Sequence, residues 1–229
     1  MDPSAQSPKN PYAYQQPVAA VRKKGKMWPW ILGIGLGCGA VVGLVAVLVG
    51  LGVLFELSAD EVPLSADERG LLLDAEALAR DTPDLGVDVA NERAYKKQYF
   101  DKSYALEYEY EDSSLYLNYS INWEPKRSDA MAVYLPMWDS TRVGLQIGGG
   151  GELAVAERND LFSWGDTSRF GILQANGEPY GNLFVARWKH DVVYLVLTGL
   201  YYDDTESLEA LLGPYLDGLK ERRRKGGSD

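Results

Sequence analysis

The chain has 229 residues and a formal charge of −10, with 33 Asp and Glu against 23 Lys and Arg, one cysteine and one histidine. An acidic balance of this size argues against a partner that presents nucleic acid phosphates. The lone Cys38 excludes an intramolecular disulfide and a thiolate metal cluster, and the lone His190 excludes a histidine-rich metal site.

Residues 1–27 carry Pro3, Pro8, Pro11 and Pro17 among Tyr, Gln, Ser and Asn, with no apolar periodicity, which predicts a disordered cytoplasmic tail. Residues 28–57 follow as a transmembrane helix. Ile31 to Phe55 is an uncharged run of 25 residues, which as a helix reaches roughly 37 Å and exceeds the hydrocarbon layer of roughly 30 Å. A cleavable leader has a shorter apolar region, so a retained anchor is expected. Arg22, Lys23, Lys24 and Lys26 lie on its amino side, and Glu56, Asp60, Glu61, Asp67 and Glu68 follow it. This asymmetry predicts a cytoplasmic N-terminus and an extracytoplasmic C-terminal domain, in a bacterial periplasm or at the cell exterior. Trp28 and Trp30 suit the headgroup layer as interface anchors. Beyond the span the charge is about −14, because five of the cations but only one of the acids precede it.

Gly35, Gly39 and Gly43 recur every fourth residue and place small side chains on one helix face. Such a face serves homo-oligomerisation or docking against another membrane helix. Glycine is also simply common in membrane helices, and Gly33, Gly37 and Gly52 dilute the stripe, so both readings stay open. Cys38 follows Gly35-Leu36-Gly37, a poor match to a lipobox, and reads as a membrane-buried thiol.

A juxtamembrane helical segment and linker is expected over 58–99. Ser65 and Glu68 make a capping box, and Leu71, Leu72, Leu73, Ala75 and Leu78 supply an apolar face for a helix from about Ala66 to Arg80. An α+β domain is expected over 100–220. In Tyr104 to Glu111, Leu106, Tyr108 and Tyr110 alternate with Glu107, Glu109 and Glu111, the pattern of a half-buried strand with a water-facing acidic row. Asp112-Ser113-Ser114 turns the chain into a returning arm with Leu115, Leu117, Tyr119, Ile121 and Trp123 on one side. Ser128 can cap a helix bearing Met131, Tyr134, Leu135 and Trp138, which Pro136 should kink or end. The four glycines Gly148 to Gly151 fit neither a P-loop nor a dinucleotide fingerprint and read as a loop.

Strand-like runs follow at Leu153 to Glu157, Leu161 to Trp164 and Phe170 to Gln174, with Asn176-Gly177 as a hairpin turn. Leu183 to Trp188 and Val192 to Leu200 are apolar on both sides and predict central strands covered above and below, joined by a tight Lys189-His190-Asp191 turn. Leu208, Leu211, Leu212, Tyr215, Leu216 and Leu219 form the stripe of a closing helix that Gly213-Pro214 should bend. Residues 221–229 are expected as a basic flexible tail, with Lys220 to Lys225 as a solvated helix end.

The fold expected is therefore α+β: one transmembrane helix, then an antiparallel β-sheet domain with helices packed on it. Its element order resembles the PsbP-like α/β/α sandwich superfamily over Tyr104 to Leu219. Ser128-Asp129-Ala130, Gly181 to Arg187, and Val193 to Gly199 running into Asp203 to Leu219 carry the likeness. The resemblance implies a non-catalytic extracytoplasmic accessory or binding module, and no ligand residue transfers with it.

Catalysis finds no support in the motifs. His190 sits at a predicted hairpin tip, and no G-x-S-x-G elbow is present. An oxygen-ligand cation site at Asp203, Asp204 and Glu206 is open on composition alone. The expectation is a single-pass binding module without cofactor or metal, facing membrane lipid and another envelope component. Two alternatives stand beside it: a ligand sensor acting through glycine-mediated helix pairing, and a carboxylate-dependent hydrolase.

Overall fold

A computed structural model describes residues 59–82, 85–148 and 152–225. The expected span with Gly35, Gly39, Gly43 and Cys38, the cationic flank Arg22, Lys23, Lys24 and Lys26, and the anchors Trp28 and Trp30 lie outside the described residues. Among the described residues no helix is long and apolar enough to cross a membrane.

Eight antiparallel strands form one sheet: β1 (Asp60–Val62), β2 (Glu92–Gln98), β3 (Tyr104–Glu111), β4 (Tyr116–Trp123), β5 (Leu153–Glu157), β6 (Thr167–Ala175), β7 (Glu178–Trp188) and β8 (Asp191–Thr198). Their order is β1-β2-β3-β4-β8-β7-β6-β5. The helices are α1 (Ala66–Arg69), α2 (Ala75–Asp81), α3 (Arg127–Gly148) and α4 (Thr205–Lys225). The domain is thus α+β, with helices packed on an antiparallel sheet.

Period-two alternation assigns the faces. Along β8, Val193, Leu195 and Leu197 enter an apolar cluster with α2 and α4, whereas Val192 and Val196 enter a second cluster with α3. Helices therefore pack on both faces. The first cluster holds Leu106, Tyr108 and Tyr110 of β3 and Leu208, Leu212, Leu216 and Leu219 of α4, each at most 2% exposed. The second centres on Trp138, whose ring lies over Gly171; a Cβ at Gly171 would stand 3.0 Å from Trp138 Cη2 and 2.7 Å from Val155 Cγ1.

The Ser65–Glu68 capping box forms as expected. The single helix expected over 66–80 is instead two, because the chain turns at Gly70 and restarts at Asp74, whose carboxylate accepts from Ala77 N at 2.9 Å. Leu71, Leu72 and Leu73 are buried from that turn. The expected linker contributes β1 and β2 to the same sheet, with Tyr95 paired to Glu107 and Asp60 to Gln98. Tyrosine hydroxyls staple this segment down: Tyr108 Oη accepts from Ala75 N at 2.9 Å, and Tyr110 Oη accepts from Asp88 N at 3.2 Å.

α3 runs through Pro136 rather than ending there. Ala132 and Pro136 both lie on its exposed side, where water can take the hydrogen bond that proline does not donate. α4 likewise continues through Gly213-Pro214. Leu161 to Trp164 is a loop and not a strand; it lays Leu161 and Phe162 into the first cluster, where Phe162 meets Phe184 edge-on at 5.2 Å. Asn176 (φ 54°) and Gly177 (φ 85°) make the β6–β7 turn as predicted.

Candidate binding surfaces of the sheet

On the α3 side of the sheet the apolar cluster spreads over β5 to β8 and stops at Tyr116 of β4. The same side of β2, β3 and β4 is built differently. Register places Arg93, Glu109 and Asn118 in one row, Tyr95, Glu107 and Ser120 in the next, and Lys97, Ala105 and Asn122 in a third. None of these residues belongs to either apolar cluster. The rows continue under α3 as Val196, Tyr194 and Val192, and Tyr194 Oη lies 3.2 Å from Thr141 Oγ1 of α3. The helix edge thus walls one side of a polar half-face.

Neighbouring strands neutralise the charges of this half-face. Tyr95 Oη donates to Glu107 Oε2 at 2.7 Å, and Lys97 Nζ lies 3.3 Å from Glu107 Oε1. The Arg93 guanidinium sits 4.7 Å from the Tyr95 ring centroid, a cation–π distance. Asn118 Nδ2 donates to Glu109 Oε1 at 3.3 Å. The acidic row was expected to face water, yet the Glu107 side chain is only 15% exposed, because a cation and a phenol from β2 converge on it. Burial, and then the Glu107 carboxylate, push the Tyr95 hydroxyl above its ordinary range, so it stays a hydrogen-bond donor.

A second cluster closes one end of the sheet. Gln98, Tyr104, Trp123 and Asp191 are successive partners across β2, β3, β4 and β8. Tyr104 stacks on Trp123 at 5.4 Å, and Trp123 lies 6.4 Å from the His190 ring. Arg223 of α4 reaches this row: its Nε lies 3.1 and 3.2 Å from the two Asp191 carboxylate oxygens, and its Nη2 also donates to Asp191. The basic run was expected to be a solvated helix end, but Arg223 is only 17% exposed and its partner 2%. Burial raises the Asp191 carboxyl and Arg223 opposes it; the bidentate geometry fits a charged pair.

His190 is not a free tip either. Nδ1 lies 2.9 Å from the Glu124 carbonyl oxygen, and the ring is half-buried against Trp123. Glu124 is the carboxyl lifted furthest toward neutrality, to about 7, first by burial and then by the Asp101 and Asp129 charges. Among the described residues no group of three His, Cys, Asp or Glu could hold a metal ion. Asp204, one of the composition-based cation candidates, caps α4 through Ser207 N at 2.8 Å.

The Glu124 shift predicts a pH dependence. With its folded pKa above the unfolded value of 4.5, the folded state holds the extra proton between pH 4.5 and about 7, so Glu124 costs stability increasingly as pH rises through that window. Glu124→Gln should match the parent near pH 4.5 and melt higher above pH 7. Thermal unfolding at the two pH values checks this, and an equal difference at both would exclude the raised carboxyl.

No known family, curated protein or solved structure matches the chain.

Proposed function

We propose that this chain is a single-pass membrane protein whose extracytoplasmic α+β domain is a non-catalytic binding module, engaging another component of the cell envelope through the polar half-face of β2, β3 and β4. One observation carries the reading: helices cover one face of the sheet and half of the other, and hydrogen-bonding side chains take over where the α3 cluster stops. Arg93, Glu109 and Asn118 offer a cation, a carboxylate and an amide in one row, which suits a polar partner surface. A PsbP-like sandwich belongs to the same proposal; helices on both faces support it. So does pairing of membrane helices through Gly35, Gly39 and Gly43, which the glycine spacing supports.

Site-specific photocrosslinking in intact envelopes tests the binding face. A crosslinking residue at Glu109 or Asn118 should yield one discrete adduct, and one at the exposed Glu209 of α4 should not. Arg93→Glu should lower the yield from Asn118 roughly tenfold, the effect of like-charge contact at an interface. Equal adducts from the half-face and from Glu209, or a yield indifferent to Arg93, would defeat the reading.

A further inference from the structure

We infer that the Gln98–Tyr104–Trp123 end of the domain docks on an anionic lipid surface. The inference rests on the membrane reading of Ile31–Phe55. From Phe55 to Asp60 the chain has five residues to extend, roughly 17 Å at full stretch. Asp60 is paired with Gln98, the last residue of β2, so the chain joins the sheet at this end.

The two ends of the sheet differ in chemistry. At the joining end, three of the four connections supply a lysine, Lys102 after β2, Lys126 after β4 and Lys189 after β7, and the fourth, between β5 and β6, carries Arg158. The Arg223–Asp191 pair brings the end of α4 to the same place, with Arg224 and Lys225 exposed. Phe100, in the same turn as Lys102, is 73% exposed. Asp101 and Glu124 are the acids of the lysine-bearing turns, Asp160 and Asp166 those of the β5–β6 connection and Asp60 that of the entering strand. Asp101 is engaged by Ser103 Oγ at 2.6 Å, Asp160 by Arg158 at 2.8 Å and Asp166 by Arg187 at 3.1 Å. At the opposite end the turns 112–115, 176–177 and 199–206 contain no Lys or Arg and lie beside Glu111, Asp112, Glu178, Asp203, Asp204 and Glu206.

A domain that is acidic as a whole thus turns lysines, an exposed aromatic ring and a basic helix end toward the side where its tether arrives. Cations attract anionic headgroups, and an aromatic ring partitions into the layer beneath them. Docked in this way, the strands stand upright on the membrane and the polar half-face of β2 to β4 looks sideways along it. The acidic end then points away from the lipid.

Amide hydrogen exchange on the full chain in nanodiscs tests the docking. Discs of phosphatidylcholine alone are compared with discs containing phosphatidylglycerol. Each lysine at an anionic surface shifts the docked population roughly fivefold. Exchange at turns 99–103 and 189–190 should therefore slow by roughly tenfold or more when the anionic lipid is present, with turns 112–115 and 176–177 unchanged. The triple variant Lys102→Glu, Lys126→Glu, Lys189→Glu, checked for folding by circular dichroism, should abolish the slowing. High salt on the parent chain should do the same, and decides the matter if the variant does not fold. Exchange indifferent to phosphatidylglycerol in a chain that floats with the lipid overturns the docking and leaves the anchor standing. A chain that does not float with lipid removes the anchor and the docking together.

Discussion

Arg223→Ala should destabilise the domain by about 3–5 kcal/mol, the cost of leaving one member of a buried ion pair without the other. Asp191 would remain inside with 2% of its side chain exposed and no guanidinium on its oxygens. Arg223 also lies 5.7 Å from the Tyr104 ring and 5.9 Å from the Trp123 ring, so the same truncation uncovers the aromatic row. In a domain of this size the loss corresponds to roughly 10 °C in melting temperature.

The pH dependence identifies the cause. Without Arg223, burial raises the Asp191 carboxyl further above its unfolded value, and the folded state then favours the protonated acid. Stability of the variant should therefore fall as pH rises through that window, so its deficit against the parent is larger at pH 8 than at pH 5. Asp191→Asn combined with Arg223→Met removes both charges and should recover much of the loss. Urea unfolding of the detergent-solubilised chain followed by tryptophan fluorescence reads all of these. A single-variant loss under about 1 kcal/mol, the range of surface pairs, would mean that the pair is solvated and not buried.

The elements whose apolar pattern has one clear period were legible before the structure. β3 and β4 follow the alternation of Leu106, Tyr108 and Tyr110 with three glutamates, and β7 and β8 follow from apolar residues on both sides. The capping box of α1 and the Asn176-Gly177 turn are local chemistry, complete within four residues. β2 was not legible, because Glu92-Arg93-Ala94-Tyr95-Lys96-Lys97-Gln98 mixes charge on both faces. Its strand character comes from β3, which supplies the hydrogen-bonding edge and Glu107 to receive Tyr95 and Lys97. Leu161 to Trp164 misleads in the other direction: an apolar run of strand length serves as a loop that fills core space beneath Phe184.

The candidate surfaces were legible only in part for the same reason. The glutamate row showed in the alternation, but the Tyr95 and Lys97 that bind it lie about ten residues away in sequence, within a stretch without a period. Arg223 is one cation among several in its run, and nothing local separates it from Arg222 or Arg224. Only the fold, by bringing Asp191 across from the start of β8, makes it a buried partner while Arg224 stays exposed.

A second large loss is expected from one added methyl group. Gly199, just past β8, has φ +88°, and a Cβ there would fall 1.8 Å from the carbonyl oxygen of Ser114 and 2.9 Å from its carbonyl carbon. That carbonyl cannot easily retreat. Asp112 Oδ1 accepts from Ser114 N at 2.6 Å and Leu115 N at 2.8 Å, Tyr110 Oη donates to Asp112 Oδ2 at 2.7 Å, and Leu115 is 2% exposed. Gly199 N is itself bonded to Tyr180 O at 2.9 Å, which holds the other side of the approach. Gly199→Ala therefore combines a strained backbone with a clash against fixed main chain, and about 3 kcal/mol or more is expected. Gly177 provides the control: its φ is +85°, but a Cβ there meets nothing within 4 Å. Gly177→Ala should cost only the conformational part, about 1 kcal/mol. The difference between the two in chemical denaturation measures how tightly the β8 exit is pressed against the β3–β4 turn, and equal losses would show that backbone conformation alone, without the close approach, accounts for Gly199.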